Sequence, residues 1–129
     1  MRLTLSGSAL SRVELSDAPV VAVRLSESDS TCEVELDGPW FAGPPSRWMG
    51  HTVLAVTRWQ EAAVRAYDSV AREWNDAAEA DLMFVSELEV GATSVILRGF
   101  STSSGRWTEV RLSGDSVGAV LNAEEETVS

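Results

Sequence analysis

Residues 31–36 alternate without a break: Cys32, Val34 and Leu36 fall on one side of an extended chain, Thr31, Glu33 and Glu35 on the other. Period-two patterning belongs to a strand with one buried and one wet face, and such a strand needs partners. A β-branched run at 20–25 precedes it across the turn-forming Ser26-Glu27-Ser28-Asp29-Ser30, so the pair predicts an antiparallel hairpin. Further strand signals fall at 3–5, 11–15, 52–56, 82–85, 88–90, 94–98 and 107–112.

One segment carries a different period. Trp59, Ala63, Ala66, Val70 and Trp74 recur at three- and four-residue steps, with Tyr67 beside them. This spacing predicts one long amphipathic helix over about 57–78, rising ~22 Å from Trp59 to Trp74. Thr57 and Gln60 fit a capping box. Glu61 with Arg65 and Asp68 with Arg72 are acid-first pairs four residues apart. Ser113-Gly114-Asp115 can cap a short second helix over 116–122, and the acidic C-terminus is expected to fray from about 123. Strands, a long helix, more strands and a short helix predict a single α+β domain over 1–129, a mostly antiparallel sheet with the long helix packed on one face.

With 129 residues the chain suits one domain. All its basic side chains are arginine, and 10 of these face 20 Asp plus Glu for a formal charge of -10. Such a chain repels phosphate at long range, so nucleic acid is not an expected partner. The absence of lysine fits the codon usage of a GC-rich genome. Residues 1–7 lack the apolar core of a signal peptide, and no run has the length of a membrane span, so the expectation is a cytoplasmic protein without a membrane partner. The role of residues 1–30 is open.

The rare residues limit the chemistry. There is one cysteine, Cys32, one histidine, His51, and one tyrosine, Tyr67. Zinc needs three or four protein ligands, which this set does not provide, and no metal or cofactor is expected. Cys32 sits on the apolar side of its strand and reads as a small buried hydrophobe. No serine occupies a strand-turn-helix elbow, and no phosphate-binding glycine loop is present. Glu33 with Glu35, and Glu87 with Glu89, lie two apart on strands and share a face, which reads as wet sheet surface unless a pocket gathers them. If the chain is an enzyme, His51 and Tyr67 with a glutamate are its acid–base groups.

The five tryptophans are the prominent feature. Trp59 and Trp74 belong to the helical stripe. Trp40, Phe41, Arg47, Trp48 and Met49 bracket Gly43-Pro44-Pro45, and Trp107 lies one residue off the Thr108, Val110, Leu112 face. Exposed Trp, Met and Arg are enriched at protein-binding hot spots, and prolines hold a loop at low entropic cost. The alternative is a satellite cluster packed under its own loop.

The run from His51 to Trp59, a helix ending near Trp74, strands through Leu88 and Ile96, and the strand from Arg106 to Leu112 before a short helix together cover roughly 31–123. This order resembles small α+β domains of unknown function in high-GC bacteria, and is similar to some immunity proteins of polymorphic toxin systems. The resemblance implies action by binding a partner, and carries no functional residue with it. The leading expectation is a non-enzymatic protein-binding module, immunity-like, that occludes a basic partner through an acidic, Trp-bearing surface. The alternative is a small enzyme or small-molecule-binding domain with a pocket between sheet and helix. A third reading is a self-associating subunit, such as a homodimer.

Overall fold

A computed structural model describes residues 2–6, 9–10, 13–15, 18–41, 47–77 and 80–125. Thirteen strands run through them: β1 Arg2–Ser6, β2 Val13–Glu14, β3 Ala18–Ser26, β4 Thr31–Asp37, β5 Trp40–Phe41, β6 Arg47–Thr57, β7 Glu61–Asp68, β8 Glu73–Asp76, β9 Phe84–Val85, β10 Glu87–Val90, β11 Ser94–Phe100, β12 Trp107–Ser113 and β13 Gly118–Glu125. They form two antiparallel sheets. The larger has eight strands in the order β1-β13-β6-β4-β3-β9, with β5 paired to β6 and β2 to β5. The smaller has five, in the order β10-β11-β12-β7-β8.

The α+β expectation is therefore corrected to an all-β architecture, with no α-helix among the described residues. The segment expected to be a long helix is a β-hairpin, in which Tyr67 faces Trp74 and Asp68 faces Glu73. Its turn has a local cause. One carboxylate oxygen of Asp68 accepts from the backbone N–H groups of Val70 and Ala71, at 3.0 and 3.1 Å, and Arg72 turns the chain back at φ 56°. This Asx-type turn competes with helix, which is how Asp favours turns. Val70, placed on the expected apolar stripe, stands 94% exposed at the turn. The acid-first pairs give way to partners distant in sequence: Arg65 to Glu109 at 2.7 Å and Arg106 to Asp68 at 3.9 Å. Thr57 ends β6, and Gln60 donates to Asp115 at 3.3 Å across the connection instead of closing a capping box.

The short helix expected over 116–122 is likewise a strand. Ala119, Leu121 and Ala123 of β13 alternate into the core between β1 and β6. The chain remains paired past 123, with Glu124 facing Arg2; residues 126–129 lie outside the described residues. The β3–β4 hairpin pairs Val23 with Val34 and Leu25 with Cys32.

One buried cluster draws on the inner faces of both sheets. Cys32, Val34, Leu36, Leu54, Val56 and Leu121 come from the larger, and Val95, Leu97, Val110 and Leu112 from the smaller. The sheets are thus packed with their apolar faces together, which leaves each an outer face. Along one side they are stitched. β9 pairs with β3, while Met83 and Ser86 on either side of it donate to the carbonyls of Phe100 and Arg98 at 2.7 and 2.8 Å. There the backbones approach so closely that a Cβ on Gly99 would fall 1.8 Å from the Phe84 carbonyl oxygen, so this position admits only glycine.

Candidate functional site

The larger sheet changes phase at Gly38. On β4 the even-numbered Leu36 is buried, whereas past Gly38, at φ 70°, the odd-numbered Phe41 is buried. β6 shifts with it: Leu54 and Thr52 point inward, and then Met49 does. Two hydrogen bonds hold the crossing, Gly38 N–H to Gly50 O at 3.3 Å and Met49 N–H to Pro39 O at 2.9 Å. A left-handed residue inserted into an antiparallel pair bends it and exchanges its faces. The exchange carries Phe41 and Met49 into the core and turns Trp40 and Trp48 outward.

Trp40 and Trp48 are register partners on adjacent strands. Their rings meet edge to face, with centroids 4.9 Å apart and planes at 63°, and Trp48 is 55% exposed. Such a pair is a preformed apolar platform, because each ring holds the other in place. Arg47 joins β6 through its backbone; its side chain, and residues 42–46, lie outside what the structure describes. The aromatic group expected to act together is thus divided between an outward tryptophan pair and two core residues.

The same sheet carries acids, one of them opposite Trp40 and the rest further along β4. Glu14 sits opposite Trp40 on β2, and Asp37 sits opposite His51. Glu33 and Glu35 project outward from β4 beside Arg24 of β3, which pairs with Glu35 and reaches Glu33 at 3.5 Å. The hydrogen bond from Arg24, with a further contribution from His51, holds the Glu35 carboxyl below its ordinary range. His51 lies 3.5 Å from Glu35 through its Nε2 and is half-exposed. Glu33 and Glu35 therefore share a face as their spacing predicts, but an arginine stands between them.

The outer face of the smaller sheet is built differently. Glu109 of β12 has β11 on one side and β7 on the other, opposite Arg98 and Arg65. Arg65 donates to it at 2.7 Å and Arg98 at 3.2 Å, with Arg111 3.9 Å away, and Glu109 is only 4% exposed beneath them. Burial pushes its carboxyl up, and the arginine contacts, Arg65 first, outweigh that and leave it below the ordinary value. Arg98 also reaches Glu87 and Glu89 at 3.1 and 3.3 Å, so the second expected carboxylate pair shares one arginine with Glu109. Along one end of this face run four aromatics. Phe100 meets Trp107 edge to face at 5.2 Å, Tyr67 tilts against Trp74 at 5.4 Å, and the Arg65 guanidinium lies 5.3 Å from the Trp74 ring centroid. Trp107 is half-buried among them.

Sequence reasoning missed Phe100, the Tyr67–Trp74 contact and the Glu109 network. Alternation along 107–112 places Glu109 opposite to Val110, but only the register of β7, β12 and β11 brings Arg65 and Arg98 to its two sides.

The groups considered for catalysis are dispersed. His51 and Tyr67 project from different sheets on opposite sides of the core, so no site contains both. Cys32 is fully buried, and burial, with Glu33 adding to it, pushes its thiol up to about 11, the reverse of an activated nucleophile. Among the described residues no group of three or more His, Cys, Asp and Glu is placed to hold a metal ion, and no helix is long and apolar enough to cross a membrane. Compared with protein-family models, with curated proteins and with solved structures, the chain gives no significant match.

Proposed function

We propose that this protein is a non-catalytic protein-binding module that covers a basic protein partner with the outer face of its larger sheet, in the manner of an immunity protein. The observation that carries this reading is the Trp40–Trp48 pair, its Trp48 ring 55% exposed, on a sheet that carries Glu14 opposite Trp40 and Asp37, Glu35 and Glu33 further along β4. A rigid aromatic pair is the kind of anchor that dominates binding energy once water is excluded around it. The acids steer a cationic partner and orient it on the anchor. The formal charge of -10 over the whole chain supports the same choice of partner.

The experiment is affinity capture with the tagged protein from its native lysate at low and moderate salt, with Trp48→Ala and Trp107→Ala variants in parallel. The expected result is one stoichiometric basic protein, weakened by salt, lost with Trp48→Ala and kept with Trp107→Ala. Loss with Trp107→Ala alone would move the interface to the smaller sheet. Capture of a second copy only, with a dimer by light scattering, would replace the reading by self-association.

A further inference from the structure

Between β10 of the smaller sheet and β13 of the larger lies an open groove of about 600 Å³, within the size range of small-molecule sites. Leu10, Leu88, Val90, Val117, Ala119 and Val120 make its apolar wall. Gly91, Ala92 and Gly118 leave the space open by contributing little or no side chain. The described lining includes no acidic residue and one cation, Arg58.

Arg58 is held there by its surroundings. It takes φ 60°, a left-handed conformation that costs a non-glycine residue free energy and persists only where neighbours impose it. Its Nε donates to the carbonyl of Ser116 at 3.2 Å. Its guanidinium lies against Gly118, where a Cβ would come within 2.7 Å of Nη2. Arg24, Arg65, Arg98, Arg106 and Arg111 each have a carboxylate within salt-bridge distance, whereas Arg58 and the exposed turn residue Arg72 have none among the described residues, and of these two only Arg58 lines a groove. In a chain with twice as many acids as arginines, a cation with no carboxylate among the described residues, set at the rim of an apolar groove, is open to an anionic partner.

We infer that this groove binds a single-chain aliphatic carboxylate, its tail against Leu88, Val90, Val117 and Val120 and its headgroup on the Arg58 guanidinium. One arginine matches one carboxylate through two parallel N–H donors. The strongly negative chain disfavours a headgroup of higher charge. The site is separate from the Trp40–Trp48 surface.

The test is isothermal titration of the full chain with decanoate below its micelle concentration, beside decanol and decyltrimethylammonium. Decanoate is expected to bind one to one and about tenfold or more tighter than decanol, the worth of a charge-assisted hydrogen bond. The ammonium should bind no better than decanol. Arg58→Gln should abolish the preference for decanoate while keeping decanol binding, and Ala92→Trp, which fills the groove from an exposed position, should abolish both. Thermal unfolding of each variant checks that it is folded. Absence of decanoate binding, equal affinity for decanoate and decanol, a preference that survives Arg58→Gln, or binding that survives Ala92→Trp would each overturn the inference.

Discussion

The two outer faces of this protein use the same residue types to opposite ends. On the smaller sheet, acids and arginines alternate across neighbouring strands, so that Glu109 is enclosed by Arg65 and Arg98 and the carboxylates of Glu87 and Glu89 close on Arg98. On the larger sheet, Arg24 answers Glu33 and Glu35, while Glu14 and Asp37 have no arginine within salt-bridge distance among the described residues. The aromatics differ in the same sense. Trp107 is half-buried, with Phe100 against it 47% exposed, whereas Trp48 is 55% exposed where the sheet has just changed phase. A charge network completed within the molecule contributes to stability, and one left incomplete is available to another molecule.

This contrast predicts a graded set of effects. The largest is Glu109→Ala, which leaves arginines packed around a missing partner and should lower the unfolding free energy in urea by about 3 kcal/mol. Glu35→Ala removes a carboxylate with two partners as well, yet Arg24 and His51 are both half in solvent, so it should cost much less than Glu109→Ala in the same urea series. Equal losses would erase the distinction between the faces. Next in size, Trp107→Ala should cost about 1 to 2 kcal/mol through lost burial and its contact with Phe100. Trp48→Ala should stay below about 1 kcal/mol in the same denaturation series. A larger loss at Trp48 than at Trp107 would make Trp48 a structural residue and weaken its assignment as an anchor.

The smallest effect is on acid stability. Glu109 and Asp68 titrate below their ordinary values of 4.5 and 3.8, Glu109 because of its arginines and Asp68 because of the N–H groups of Ala71 and Val70. As pH falls through the ordinary range the unfolded chain takes up protons first, so stability declines there and is lost progressively until the folded carboxyls are themselves protonated. Thermal unfolding followed between pH 6 and pH 3 (roughly, the span over which carboxylates change charge) should show this decline. Glu109→Gln should flatten it, and an unchanged slope would show that the network does not depress that carboxyl.

Much of the larger sheet was legible because its strands bury one face. Thr31 to Asp37 alternate cleanly, and both the β3–β4 hairpin and the buried state of Cys32 follow from that alternation. The segment after Thr57 was not legible for the opposite reason. Ala62, Val64 and Ala66 alternate inward from β7, but alanine at the intervening position 63 hides the pattern, and alanine-rich sequence with acid–arginine spacing favours a helix when read locally. Pairing with β12 overrides that preference, since it supplies ladder hydrogen bonds and a core face that a lone helix would have to find elsewhere. At the candidate surface, the sequence singled out Trp40 and Trp48, but could not separate them from Phe41 and Met49.

By itself, the sequence determined what depends on neighbours along the chain: the strands that alternate cleanly, the turn between β3 and β4, the burial of Cys32, and a formal charge of -10. Only the tertiary structure decided what depends on register. It set Arg65 and Arg98 on either side of Glu109, made residues 61–76 a hairpin, turned Trp40 and Trp48 outward at Gly38, and left Arg58 at the rim of a groove without a carboxylate. The physical reason is that side-chain period specifies which face of a strand is buried, whereas the pairing of distant strands specifies which side chains meet on it.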